Sequence, residues 1–140
     1  VGKYLTDAAT AATFHDDESD CSICGVGTYK DTVGGAVCDD CPGGKYISDV
    51  STATSFHDSA DDCIACDAGH HSGDGAASCS GCGAGKYSTV PITQEADCLI
   101  CPTGRYAGES GAALCTECEA GKKLEDSGTH ASFHDAESDC

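Results

Sequence analysis

The sequence contains no tryptophan, no methionine and no asparagine, and it holds three phenylalanines, three prolines and seven lysines or arginines in 140 residues. With so few large apolar side chains a conventional buried core cannot form, and a small unit in that position folds only with covalent staples or metals. The lack of asparagine excludes N-linked sugar from this stretch. The shortage of basic residues leaves 24 carboxylates mostly uncompensated, with a formal charge of -17 and a pI near 4.2. Such a surface repels phosphates, which argues against nucleic acid and anionic membranes as partners. No apolar run approaches the roughly 20 residues that span a bilayer, and no signal peptide is visible. Nor is there a catalytic triad, nucleophile elbow or phosphate loop, so an enzyme is not expected.

What the sequence has in abundance is cysteine, with 13, and glycine, with 18. That balance marks a disulfide scaffold, and persistent disulfides need an oxidising compartment, so the expected setting is extracellular or the cell surface.

The cysteines recur with a period. Cys21, Cys63, Cys98 and Cys140 occupy equivalent places, which divides the chain into the end of a repeat (1–20), repeats at 21–62, 63–97 (shorter) and 98–139, and the start of another at 140. Each repeat holds two loops, each opening after a C-x-x-C pair and continuing as Gly-x-Tyr, as in Cys41-Pro42-Gly43-Gly44-Lys45-Tyr46. Val1-Gly2-Lys3-Tyr4 aligns with Gly43-Gly44-Lys45-Tyr46 but has no leading cysteine, so both ends read as cut from a longer array.

All five tyrosines (Tyr4, Tyr29, Tyr46, Tyr87 and Tyr106) stand at the Gly-x-Tyr position, while His71 and Lys123 replace tyrosine in two divergent loops. An aromatic placed there shields a neighbouring disulfide, and the glycine supplies a turn with positive φ. The three phenylalanines (Phe14, Phe56 and Phe133) sit in Thr13-Phe14-His15-Asp16, Ser55-Phe56-His57-Asp58 and Ser132-Phe133-His134-Asp135. Ser/Thr followed three residues later by an acid predicts a capped single helical turn before the next cysteine, with phenylalanine tucked inward. The shortened loop before Cys98 has Pro91-Ile92-Thr93 at that place and is expected to lack the turn. The predicted fold class is therefore a small disulfide-rich repeat array: elongated, with little regular secondary structure, short β ladders and single helical turns.

Three chemistries compete for the C-x-x-C series. Cys21-x2-Cys24-x13-Cys38-x2-Cys41 alone fits a four-cysteine zinc site, as does the set Cys98, Cys101, Cys115 and Cys118. Against zinc stand the unbroken succession of pairs, the secreted-type composition and the Gly-x-Tyr after most pairs. Thiol redox catalysis needs one pair at a helix N-terminus in a βαβ setting, which is not seen. Structural disulfides remain, with no cofactor called for. If a metal is bound, calcium at carboxylates such as Asp16, Asp17, Glu18 and Asp20 fits better, although no EF-hand pattern is present. The Phe-His-Asp copies lie in separate loops with no nucleophile, and His70-His71 replaces Lys/Arg and Tyr, so both read as structural.

The C-x-x-G-x-Y loop closing on a cysteine resembles the first subdomain of the cysteine-rich repeats of tumour-necrosis-factor receptors. The tandem C-x2-C-x13-C-x2-C with C-P-x-G-x-Y is still more similar to the ephrin-receptor-like cysteine-rich repeat, a relative of EGF-like modules. The receptor subdomain implies that the cysteine before Gly-x-Tyr pairs with the next along the chain: Cys24 with Cys38, Cys41 with Cys63, Cys66 with Cys79, Cys82 with Cys98, Cys101 with Cys115 and Cys118 with Cys140. Cys21 would then pair with an upstream cysteine outside the chain. A rival pattern, Cys21 to Cys38 with Cys24 to Cys41 and so on, leaves Cys140 over instead, and counting does not separate the two; the loop type favours the first.

The functional expectation is a non-enzymatic structural segment of a large extracellular repeat protein, forming a rod or filament such as a surface fibre, a flagellar-hair-like appendage or a matrix or adhesion stalk. The alternative is a ligand-binding receptor ectodomain. Expected partners are neighbouring repeats or other copies of the protein, with O-linked sugar at loops holding Thr6, Thr10, Thr13, Ser51, Thr52, Thr54 and Ser55.

Overall fold

A computed structural model describes residues 1–5 and 17–140. Twelve strands of two residues form six antiparallel ladders: β1 (Lys3–Tyr4) with β2 (Ser22–Ile23), β3 (Thr28–Tyr29) with β4 (Asp39–Asp40), β5 (Lys45–Tyr46) with β6 (Ile64–Ala65), β7 (His70–His71) with β8 (Ser80–Gly81), β9 (Lys86–Tyr87) with β10 (Leu99–Ile100), and β11 (Arg105–Tyr106) with β12 (Thr116–Glu117). Every odd strand is the x-Tyr of a Gly-x-Tyr or its His70-His71 substitute. Every even strand is the pair of residues inside a C-x-x-C. The ladder thus sets a loop's opening cysteine beside its closing one.

Disulfides join Cys24 to Cys38, Cys41 to Cys63, Cys66 to Cys79, Cys82 to Cys98, Cys101 to Cys115 and Cys118 to Cys140. We number the closed loops 1 to 6 in that order. Their spans alternate, 14, 22, 13, 16, 14 and 22 residues, so odd loops are short and even loops long. Cys21 is free in this chain and partly exposed. The two four-cysteine sets with zinc spacing are divided among disulfides, since Cys24 bonds Cys38 while Cys41 bonds Cys63.

One set of backbone bonds repeats from loop to loop. The Gly-x-Tyr glycine donates its N–H to the carbonyl three residues past the equivalent glycine of the next loop: Gly27 to Ile47 (2.8 Å), Gly44 to Ser72 (2.8 Å), Gly69 to Ser88 (2.7 Å), Gly85 to Ala107 (2.8 Å) and Gly104 to Leu124 (3.0 Å). Gly2 does the same to Lys30 at 2.7 Å. The glycine's own carbonyl accepts from the second cysteine of the following pair, as from Cys41 to Gly27 (2.8 Å) and Cys101 to Gly85 (2.9 Å). Both polar groups of one glycine are therefore used to stack the next loop, which leaves no orphan at the joint.

The same glycines approach the loop after next. A Cβ at Gly27 would overlap the carbonyl oxygen of Gly75, and one at Gly85 that of Ala131, while φ of +70° and +78° already favours glycine there. Loop 1 thus touches loop 3, and loop 4 touches loop 6. The total accessible surface, 7824 Å², exceeds the roughly 6,700 Å² of a compact monomer of this mass, as a row of stacked loops should.

Burial is correspondingly local. Cys41, Ile47 and Cys63 form one small core with Tyr29 packed against it, and Cys101, Ala107 and Cys115 form another with Tyr87 and Ala112. Tyr29 and Tyr87 thus shield the disulfide of the following loop. Tyr4, Tyr46 and Tyr106 are half-buried in their ladders.

Three expectations about the long loops are corrected. Phe56 and Phe133 are not tucked inward: they are 54% and 52% exposed, while His57 and His134 beside them are fully buried. The three-residue helical turn before the cysteine exists, but it is capped four residues later than expected. Ser59, not Ser55, accepts from the Asp61 N–H at 3.1 Å, and Asp62 accepts from the Ser59 N–H at 2.9 Å. Likewise Asp139, not Asp135, accepts from the Ala136 N–H at 2.9 Å. A first turn, Thr54–Phe56 or Ala131–Phe133, precedes it without a side-chain cap. The shortened loop 4 does have the turn, at Glu95–Asp97; what it lacks is the Phe-His segment before it. Phe14, with Thr13-His15-Asp16, lies outside the described residues.

Candidate functional site

The polar centre of each 22-residue loop is a buried histidine. In loop 2, Nδ1 of His57 lies 2.7 Å from the Thr28 carbonyl oxygen of loop 1, and Nε2 lies 3.0 Å from Oδ2 of Asp49. In loop 6, Nδ1 of His134 lies 2.8 Å from the Arg105 carbonyl of loop 5, and Nε2 lies 2.9 Å from Oδ2 of Asp126. A carbonyl only accepts, so Nδ1 carries a hydrogen and donates. The His57 and His134 carbonyls in turn accept from the N–H groups of Lys30 (2.7 Å) and Ala107 (2.8 Å) in the preceding loops. One residue therefore clamps two loops through ring and backbone together.

The carboxylate is itself held. Asp126 accepts from the hydroxyl of Thr129 at 2.7 Å and from the N–H groups of Thr129 and Gly128, each at 3.0 Å. Asp49 accepts from the hydroxyl and the N–H of Thr52. The Thr129 hydroxyl, then the His134 ring, hold the Asp126 carboxyl far below the ordinary carboxylate range, and the Thr52 hydroxyl lowers Asp49 in the same way. Because the folded value is depressed, this contribution is fully present above the unfolded value near 3.9 and is lost as pH falls through the folded one. We expect the clamp carboxylates to add a fall in melting temperature below about pH 4, followed by circular dichroism on the oxidised chain. Asp126→Asn should flatten that acid limb; an unchanged limb would remove Asp126 from its cause.

Sequence reasoning singled out the Phe-His-Asp copies but placed the wrong aromatic inside. The available signal was a longer spacing, Asp-x2-Thr-x4-His, which holds for Asp49, Thr52 and His57 and for Asp126, Thr129 and His134, and which Asp7, Thr10 and His15 repeat in sequence.

The other residues considered from sequence take part in local contacts. Asp17 accepts from the Ser19 N–H at 2.8 Å, Asp20 from the Asp17 N–H at 3.2 Å, and Glu18 pairs with Lys3 at 2.9 Å, while Asp16 lies outside the described residues. His70 and His71 form β7, and His71 Nε2 lies 3.2 Å from Oε2 of Glu95. Glu95 also accepts from Lys86 and from the Gly83 N–H, and the Lys86 bond lowers its pKa. Cys82, Glu95 and Cys98 converge closely enough to suggest a metal triad, but the two sulfurs are bonded to each other. Among the described residues no helix is long and apolar enough to cross a membrane.

Residues 12–59 match the family model for sequences described as tyrosine-protein kinase ephrin type A/B receptor-like. The chain carries an ephrin-receptor-like cysteine-rich repeat. The match takes in Cys21, all of loop 1 and most of loop 2, including Phe56-His57-Asp58. Among curated proteins, no relative matches the chain. An ephrin-receptor-like cysteine-rich repeat is a non-catalytic, extracellular receptor-type module. The stacking bonds of the matched ephrin-receptor-like segment recur in loops 3 to 6 with the same geometry.

Proposed function

We propose that this chain is a non-enzymatic spacer segment of an extracellular repeat protein, a row of ephrin-receptor-like loops that forms a rod or stalk and sets distance. One observation carries the reading: the joint between successive loops is a generic, directional set of backbone bonds made by the same glycine each time. Such a joint accepts another unit at its end without new side-chain chemistry, which is the logic of one-dimensional repeats. The expected partners are accordingly neighbouring repeats, with Cys21 bridging to an upstream cysteine. No metal or cofactor enters the proposal.

Small-angle scattering on oxidised recombinant chains in which residues 21–139 occur once, twice and three times, each chain closed by a final Cys140 so that the last Cys118 keeps its bridge, tests it. The maximum dimension should rise by an equal increment with each copy. A maximum dimension that grows only as the cube root of mass would mean that the units fold back on one another, and would end the rod reading.

A further inference from the structure

The phenylalanines excluded from the core are not scattered. Phe56 lines an open cleft of about 580 Å³ with Val50 and Ile64, which are 72% and 54% exposed, and the cleft is edged by Asp49, Asp61 and Asp62. Phe133 lines the equivalent, smaller cleft of about 230 Å³ in loop 6, with Leu124, and with Glu125, Asp126 and Asp139 at its edge. The match is position for position: Asp49 with Asp126, Phe56 with Phe133, Asp62 with Asp139. The same Phe-His segment makes both. Its histidine goes into the clamp, and that fixes the neighbouring phenylalanine outside, on the cleft wall. Neither cleft has a lysine or arginine in its lining.

Exposed phenylalanine beside aliphatic side chains loses favourable burial while it faces water, and a rim of carboxylates decides what may cover it. A second copy of this chain is a poor occupant. It carries a formal charge of -17, and six of its seven basic side chains are already paired with its own carboxylates: Lys3, Lys30, Lys86, Arg105, Lys122 and Lys123.

We propose that the Phe56 and Phe133 clefts are two copies of one docking site for a protein partner of opposite character, a basic segment that inserts an aliphatic or aromatic anchor against the phenylalanine and sets lysines or arginines on the acidic rim. The site does not depend on the spacer reading: a stalk would use it for a partner along its length, a receptor for a ligand. A partner carrying two such segments on a linker long enough to span both clefts would gain from tethering.

The test titrates the oxidised chain with fluorescent peptides in fluorescence anisotropy at physiological salt. One peptide alternates lysine and leucine, a second is lysine alone, and a third carries glutamate in place of lysine. The lysine–leucine peptide is expected to bind tightest, and Phe56→Ser with Phe133→Ser should weaken it by roughly tenfold or more while leaving the lysine-only peptide unchanged. Asp61→Asn with Asp62→Asn should weaken both basic peptides. Both phenylalanines are exposed, so unchanged disulfide mapping and circular dichroism of the serine variant confirm that it folds. Equal binding of the lysine–leucine peptide to the wild-type and serine chains would overturn the proposal, leaving only diffuse charge attraction. Binding of the glutamate peptide would overturn it as well. Self-association of the wild-type chain, seen by sedimentation and abolished by the serine variant, would replace the basic partner with a second copy.

Discussion

Complete reduction of the six disulfides is expected to convert the chain to an unfolded coil in buffer without denaturant. Among the described residues, the largest fully buried side chains are two histidines and four bridged cysteines, Cys24, Cys41, Cys82 and Cys101. Each ladder has two residues per strand, shorter than anything that holds alone in water. Closing loops of 13 to 22 residues stabilises by about 3 kcal/mol per bridge in the chain-entropy account. Two or three bridges therefore match the whole net stability of an ordinary domain, about 5 to 15 kcal/mol. The measurement is hydrodynamic radius and far-ultraviolet circular dichroism before and after phosphine treatment, with alkylation of all 13 cysteines verified by mass. A fully alkylated chain that stayed compact would show that the small cores suffice, contrary to the argument.

Removing one clamp histidine should be the most damaging single truncation outside the cysteines. His57→Ala deletes a fully buried ring, opens a cavity between loops 1 and 2, and strips the Thr28 carbonyl and the Asp49 carboxylate of a shared partner. Large-to-small changes at buried sites and orphaned polar groups together cost about 2 to 4 kcal/mol. The loss should stay at the joint, because neighbouring loops share bonds and distant ones do not. Hydrogen exchange of the Gly27 and Lys30 amides, which donate across this joint, is then expected to speed up by roughly 30- to 1000-fold. Gly104 and Ala107, at the His134 joint, should keep their protection. Phe56→Ala, an exposed change, should alter exchange by only a few fold. The reverse ranking, with Phe56→Ala the worse variant, would return phenylalanine to the core.

That contrast shows where the sequence could be read and where it could not. The recurring C-x-x-C pairs and Gly-x-Tyr steps made the ladders legible, since a strand needs only a turn before it and a tether behind it. The 42-residue and 35-residue periods likewise pointed to repeats. Hydropathy misled at Phe56 and His57 because it ranks side chains by their cost in oil. The joint between loops 1 and 2 is lined by a carbonyl and a carboxylate, and only a ring with two nitrogens answers both. Capping rules found a Ser-x-x-Asp at Ser55 while an equally good one stood at Ser59; local pattern does not say which of two adjacent turns packs against the cysteine. The approach of Gly27 to Gly75 was out of reach for a different reason. It joins loops separated by a whole intervening loop, so no spacing within one repeat encodes it.

The position of the bridges has a mechanical consequence. The cysteines of each bridge hold their Cα atoms 5.6 to 5.9 Å apart, and only two residues separate one bridge from the next. A pull on the two ends therefore travels through sulfur from loop to loop and bypasses everything the loops contain. The oxidised array yields at its joints, by parting the glycine bonds and, at two of them, the histidine clamps. Opening one bridge under load would release the 13 to 22 residues it spans, a sudden lengthening of about 40 to 70 Å at full extension. Reductant should thus turn a stiff tether into a stepwise extensible one, each step as long as the loop whose bridge has opened.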